Sequence, residues 1–214
     1  MKSMYLVAAC AAALAATAVA ATIPPNIEAA VANSARPQAD RDRDAARKPA
    51  EVLAFAGVKP GEQVLELIPG GGYFTRVLSG AVGPSGHVTE AVPLVGGADM
   101  SKASNGVAAD PHFSNVSETP LGPDTFVKAL SQYDLVWTSQ NYHDLHDPFM
   151  GSPDLAHLNK AIFDALKPGG LYIVLDHAAE AGSGLRDTDT LHRIDPATVK
   201  KEVEAAGLDR KSVV

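Results

Sequence analysis

Four of the chain's seven histidines, His143, His146, His177 and His192, follow predicted strand ends or lie in the loops after them. Asp144, Asp147, Asp176 and Asp195 accompany them. Imidazole beside carboxylate can do three things. It can take a proton as a general base, because it titrates near neutral pH. It can hold zinc or a similar ion, whose ligand preferences include both groups. It can also cap loops by satisfying backbone N–H donors. The His-x-x-His spacing of His143 and His146 falls in a loop, which has no fixed geometry, so all three readings stand. Tyr142 and Tyr73 can wall a pocket or simply pack.

A second stretch has chemistry of a different kind. Val64-Leu65-Glu66-Leu67-Ile68 is a short apolar run with one acid inside it, and Pro69-Gly70-Gly71-Gly72 follows at once. Tyr73, Phe74, Val77 and Leu78 then begin a helical pattern. A buried strand, a glycine turn and a helix start bring backbone close to a small ligand at the carboxyl edge of a sheet. Side chains at those glycines would obstruct that approach.

The elements that must position these groups alternate. A helix is expected over 48–57, with Pro49 in its first turn, Val52, Leu53 and Phe55 on its apolar face and Gly57 at its end. Strands are expected at 64–68, 87–92, 113–117, 133–138 and 171–175. Helices are expected at 73–81, 125–130 and 155–166, with a shorter one at 100–107. Lys167-Pro168-Gly169-Gly170 stops a helix ahead of the fifth strand. Asp195 caps a last helix that Pro196 begins and Gly207 closes. Strands alternating with helices over short loops predict an α/β fold with a doubly wound, mostly parallel sheet.

Composition sets the bounds. A chain of 214 residues fits one domain plus an address segment. Apolar residues make up 46%, enough for a core, and aromatics only 6%, so that core is Ala-, Val- and Leu-rich. The net charge of −7 and the lack of a basic stripe argue against a nucleic-acid partner. Residues 1–20 read as a signal peptide: Lys2 supplies the positive charge, Tyr5 to Val19 the apolar run, and Ala18-Val19-Ala20 the small-x-small cleavage site. Its removal takes away Cys10, the only cysteine, and any stable membrane anchor. Residues 21–44 are expected as an arm or linker, and 45–214 as the domain. The alternating charges of Arg41 to Arg47 read as a solvated helix face, or as a lid near the ligand site.

Acid-x-x-x-Gly-x-Gly at the end of a first strand resembles the first motif of class I S-adenosylmethionine-dependent methyltransferases. Leu166-Lys167-Pro168-Gly169-Gly170 ahead of the fifth strand resembles theirs too. Asp44 to Phe55, Gly-Gly-Gly-Tyr at 70–73, Asn141-Tyr142-His143-Asp144-Leu145-His146, Asp176-His177 and Thr190 to Asp195 together look like a family of predicted secreted bacterial methyltransferases, over roughly residues 25 to 208. The resemblance implies the Rossmann-like class I fold, S-adenosylmethionine as cofactor, a small-molecule acceptor and a periplasmic or secreted location. It assigns Glu66, Gly70, Gly71, Gly72, Tyr73, Glu90 and Glu118 to the cofactor. His143 and Asp144 become the catalytic pair, and Tyr142, His146 and His177 the acceptor contacts; no metal ligand is assigned. Two positions depart from the pattern. Ile68 stands where the motif has its first glycine, and Val92 where an acid ends the second strand, with Glu90 two residues earlier. The fold usually ends in two further strands; the last two strands are expected to be missing here, leaving the fifth with an open side. The alternatives are a non-catalytic ligand-binding module on the same fold and a His/Asp metal-dependent hydrolase.

Overall fold

The structure is a computed structural model that describes residues 22–95, 98–99, 106–122 and 132–209. The signal peptide expected at 1–20, the helix expected at 125–130, most of that at 100–107 and residues 210–214 lie outside the described residues.

Five parallel strands build one sheet: β1 (Gln63–Leu67), β2 (His87–Val92), β3 (Val116–Pro120), β4 (Tyr133–Ser139) and β5 (Leu166–Leu175), in the order β3-β2-β1-β4-β5. Val64 to Leu67 are buried on both faces, which is why β1 reads as a continuous apolar run rather than an alternating one. Two-residue strands at Leu94–Val95 and Ala98–Asp99 pair separately, antiparallel.

The helices are α1 (Pro25–Val31), α2 (Gln38–Arg41), α3 (Asp44–Arg47), α4 (Pro49–Ala56), α5 (Tyr73–Val82), α6 (Leu155–Ala165), α7 (Thr188–Leu191) and α8 (Pro196–Ala205). They wind over both faces. Val64, Val88, Val116 and Leu135 meet Val77, Leu78 and Val82 of α5 on one side. Leu65, Leu67 and Val136 meet Leu158 and Ile162 of α6 on the other. The expected doubly wound α/β architecture is therefore observed. β5 has β4 on one side and no second strand neighbour among the described residues.

Several local expectations are corrected. The third strand runs from 116 rather than 113, because Asp110 accepts from the His112 N–H and turns Pro111–Phe113 into a 3-10 helix. The fifth strand starts at Leu166, and Lys167-Pro168-Gly169-Gly170 forms an irregularity within it, between the Tyr133–Leu166 and Leu135–Leu171 pairs. Phe55, expected on the apolar face of its helix, is 51% exposed, and Leu53 carries that face.

The N-terminal segment packs as part of the fold. Ile27 is fully buried, and a Cβ on Gly80 would lie only 2.9 Å from the Ala30 Cβ, so glycine lets α1 lie directly on α5. Of the alternating charges of 41–47, Asp44 and Arg47 turn toward Tyr73, whereas Asp42 and Arg43 are exposed. Asp40 is buried between Arg76 and Arg43, and the enclosed Arg36 guanidinium makes two hydrogen bonds to Asp44. Tyr73 O–H donates to the same Asp44 carboxylate at 2.6 Å, and Arg36, Arg43 and Arg47 stack over its ring.

Candidate active site at the carboxyl edge of the sheet

β1 is the strand from which the order runs outward in both directions, and ligands of open α/β sheets bind beyond the carboxyl ends of the strands at such a point. The Pro69–Gly72 turn and the 140–147 loop both lie there, after β1 and β4. Asn141 joins them: its amide donates to the Ile68 carbonyl at 2.8 Å and to the Ser139 carbonyl at 2.7 Å.

The glycine turn has a distinctive backbone. Gly70 and Gly72 have φ of 57° and 74°, which favours glycine at each. Gly71 has no such requirement, and a Cβ built on it meets nothing within 4 Å. Among the described residues neither backbone conformation nor packing calls for glycine at 71, and the space beside it is open. Ile68 has φ of 54°, an unusual conformation for a β-branched residue. Its side chain is buried in the α6 cluster, which together with the Asn141 hydrogen bond holds it in place.

Three acids form a row across the sheet. Glu66 is paired in register with Glu90, and Glu90 with Glu118. Glu66 and Glu90 are enclosed under α5, at 3% and 0% exposure, and Glu118 is exposed. Thr75 Oγ1 lies 2.6 Å from Glu66 Oε2 and 2.9 Å from Glu90 Oε1. Burial, partly opposed by the Thr75 hydrogen bond, pushes the Glu66 carboxyl up to about 8 and Glu90 up to about 7. One hydroxyl can donate to only one of them, so it accepts from the other when that carboxyl is protonated. Glu90, assigned from sequence to the cofactor, is thus placed inside the layer, with Oε1 engaged by Thr75 and Oε2 without a hydrogen-bond partner among the described residues. Val92, at the end of β2, offers no polar side chain there.

The histidine loop divides into two groups. His143 is buried; its Nδ1 lies 2.9 Å from Asp176 Oδ1, and its backbone N–H donates to Asp176 Oδ2. Its Nε2 lies 3.1 Å from Asp144 Oδ1, which is in turn 3.9 Å from His192 Nδ1. The Asp144 carboxyl is raised, burial being the largest cause. The second group faces α8. Tyr142 is fully buried; its O–H donates to Glu202 and accepts from Asn159, so the fold engages it fully. His146 Nε2 lies 3.2 Å from the same Glu202 carboxylate. His177 is exposed, with Nε2 3.1 Å from the Gln140 side-chain nitrogen. Asp195 caps α8 through the Ala197 N–H.

His143 and Asp144 are therefore brought together, with Asp176 and His192 beside them, whereas Tyr142 and His146 sit with Glu202. Thr75, Asn141 and Glu202 were missed by sequence reasoning. Thr75 follows the glycines closely enough to be suspected; nothing in the sequence ties Glu202 to Tyr142.

No protein-family model matches the chain, and no curated protein does. Solved structures do match. An S-adenosylmethionine-dependent methyltransferase from Aquifex aeolicus superposes with a TM-score of 0.60 at 21% identity, over 77% of this chain and 81% of its own. Fibrillarin from Aeropyrum pernix, in complex with natively bound S-adenosylmethionine, gives 0.50 at 18% identity over 73% of this chain and 61% of its own. The [4+2]-cyclase SpnF gives 0.55 at 19% identity over 79% of this chain and 56% of its own. At these identities the likeness establishes the class I methyltransferase fold, and the chain spans less than two thirds of the last two proteins.

Proposed function

We propose that this protein is an S-adenosylmethionine-dependent methyltransferase acting on a small molecule outside the cytoplasm. The observation that carries the reading is Gly71: among the described residues neither backbone conformation nor packing calls for its glycine, and it sits at the sheet edge where this fold takes ligands. When bound, the cofactor would supply an activated methyl group for in-line transfer. Gly70, Gly71 and Gly72 give backbone access to it. Glu66 and Tyr73 fix the turn from either side, through Thr75 and Asp44 respectively. His143, held by Asp176, is positioned to move a proton beside Asp144. Catalysis by such a site is mostly positioning. The neighbours from Aquifex aeolicus and Aeropyrum pernix support the cofactor class, and Lys2, the apolar run and Ala18-Val19-Ala20 support export.

A second reading, ligand binding without transfer, is favoured by Val92, because no carboxylate ends β2 to meet a ribose. The [4+2]-cyclase shows that a neighbour on this fold is known for a different reaction. Equilibrium binding of S-adenosylhomocysteine to wild type and Gly70→Val separates the readings when followed by a screen of acceptors for S-adenosylhomocysteine release. Binding lost in Gly70→Val, with turnover of some acceptor by wild type, supports transfer. Binding without turnover of any acceptor supports the second reading.

A further inference from the structure

The loops after β4 and β5 and α7 bring His143, Asp144 and His192 together, and one ligand atom from each lies within 4.8 Å of the other two. The hydrogen positions around His143 are constrained. The Asp176 carboxylate accepts from the His143 backbone N–H and faces its Nδ1 at 2.9 Å, so Nδ1 carries a hydrogen. A neutral ring then presents the lone pair of Nε2 to Asp144 Oδ1, only 3.1 Å away. A hydrogen on one of them or a metal ion between them accounts for that distance.

Two observations favour the ion. First, Asp147 is 1% exposed, and neither of its carboxylate oxygens has a hydrogen-bond partner among the described residues. Asp144 and Asp176 meet these imidazoles directly, Asp147 lies outside the three-residue group but near enough to act on Asp144, and no lysine or arginine forms an ion pair with these carboxylates among the described residues. Buried carboxylates need compensation, and a divalent cation supplies it. Second, the spacing fits. Ligands about 2.1 Å from a tetrahedral ion stand about 3.4 Å apart; two of the three separations, 3.1 and 3.9 Å, bracket that value, and the third is within 4.8 Å. Asp176 behind His143 is the carboxylate–histidine arrangement that fixes the tautomer of a metal-bound ring.

We propose that His143 Nε2, Asp144 and His192 Nδ1 bind one divalent transition-metal ion of the zinc class, with Asp176 as the positioning residue behind His143. Three protein ligands leave a tetrahedral ion one open position, suited to a water, hydroxyl or thiol. If methyl transfer is the reaction, that position polarises an oxygen or sulfur acceptor and replaces proton transfer by His143, whose Nε2 the ion then occupies; this last step rests on the reading above, whereas ion binding does not.

The test uses the untagged full-length chain, stripped with chelator and titrated with zinc(II), and separately with cobalt(II), whose visible absorption reports tetrahedral coordination. His192 is the variant of choice, because its side chain is 64% exposed. The expected result is one equivalent of ion, weakened at least about tenfold in His192→Ala with its cooperative melt retained, and about 10- to 100-fold in Asp176→Asn. The exposed control His157→Ala binds as wild type does. No stoichiometric binding, or equal binding by wild type and His192→Ala, overturns the proposal and leaves His143 as a hydrogen-bonded link between Asp144 and Asp176. S-adenosylhomocysteine plays no part in this readout, so its outcome is separate from that of the cofactor site.

Discussion

Glu66 and Glu90 stand side by side on neighbouring parallel strands, and a single hydroxyl, Thr75 Oγ1, is within 2.9 Å of both carboxyls. Two enclosed acids this close are not both comfortably ionised. Burial raises both above their ordinary value of 4.5, Glu66 to about 8 and Glu90 to about 7. The folded chain therefore holds protons that the unfolded chain releases. The stabilisation is fully present below about 4.5 and is lost as pH rises through about 7 to 8. Glu66→Gln should remove much of that dependence and stabilise the protein at pH 8.5 by about 1–3 kcal/mol. Melting temperatures of both proteins between pH 5 and 8.5 check it; parallel curves would contradict the shared-proton arrangement.

Asp44 joins the N-terminal segment to the glycine turn. It accepts from Arg36 and from Tyr73, and the Arg36 side chain has no solvent exposure. Asp44→Ala leaves a buried guanidinium without its carboxylate, at a cost of about 3–5 kcal/mol. Chemical denaturation should show a lower midpoint with an unchanged slope. A loss under about 1 kcal/mol would mean that Arg36 is held by the Val31 carbonyl alone.

Much of the framework was legible in the sequence. The apolar run ahead of three glycines marked β1, and the limits of β2 were read as the structure has them, because a buried parallel strand between turns has few alternatives. β3 was misplaced because Pro111 to Phe113 form a short helix whose cap, Asp110, looks like any loop acid. The site was legible in part. Adjacency along the chain revealed His143 and Asp144. Contacts across long sequence separations did not announce themselves: Tyr142 reads as a pocket wall until Glu202 and Asn159 are seen to take up its hydroxyl. The charges of 41–47 were legible only in part for the same reason, since Tyr73, the partner of Asp44 and Arg47, lies on another helix.

Tyr142→Phe tests that reassignment. Removing the hydroxyl leaves Asn159 and Glu202 short of a partner, a loss of about 1–2 kcal/mol. Affinity for S-adenosylhomocysteine should not change, and urea denaturation with ligand titration checks both. Slower turnover of an acceptor at unchanged stability would return Tyr142 to the acceptor pocket.

Asn141→Ala should act on the edge itself. Both amide hydrogens are used, on Ile68 and on Ser139. Their loss costs about 1–2 kcal/mol and frees Ile68 from its unusual backbone conformation. Hydrogen exchange should quicken in the Pro69–Gly72 turn and little elsewhere. Uniform quickening would make Asn141 a general stabiliser rather than a clamp on the turn.

The central claim, a cofactor cradle at the glycine turn, is tested most directly by the thermal melt of wild type and Gly71→Ala with and without S-adenosylhomocysteine. A ligand of the folded state must raise the midpoint by mass action, by about 2.7 kcal/mol of stability at a hundredfold excess over Kd. The account predicts a clear rise for wild type. It predicts equal stability for Gly71→Ala without ligand, because its Cβ meets nothing, and a smaller rise with ligand, because that Cβ takes the ligand's space. A wild-type midpoint that does not move, or a Gly71→Ala midpoint that moves as far as that of wild type, would contradict it.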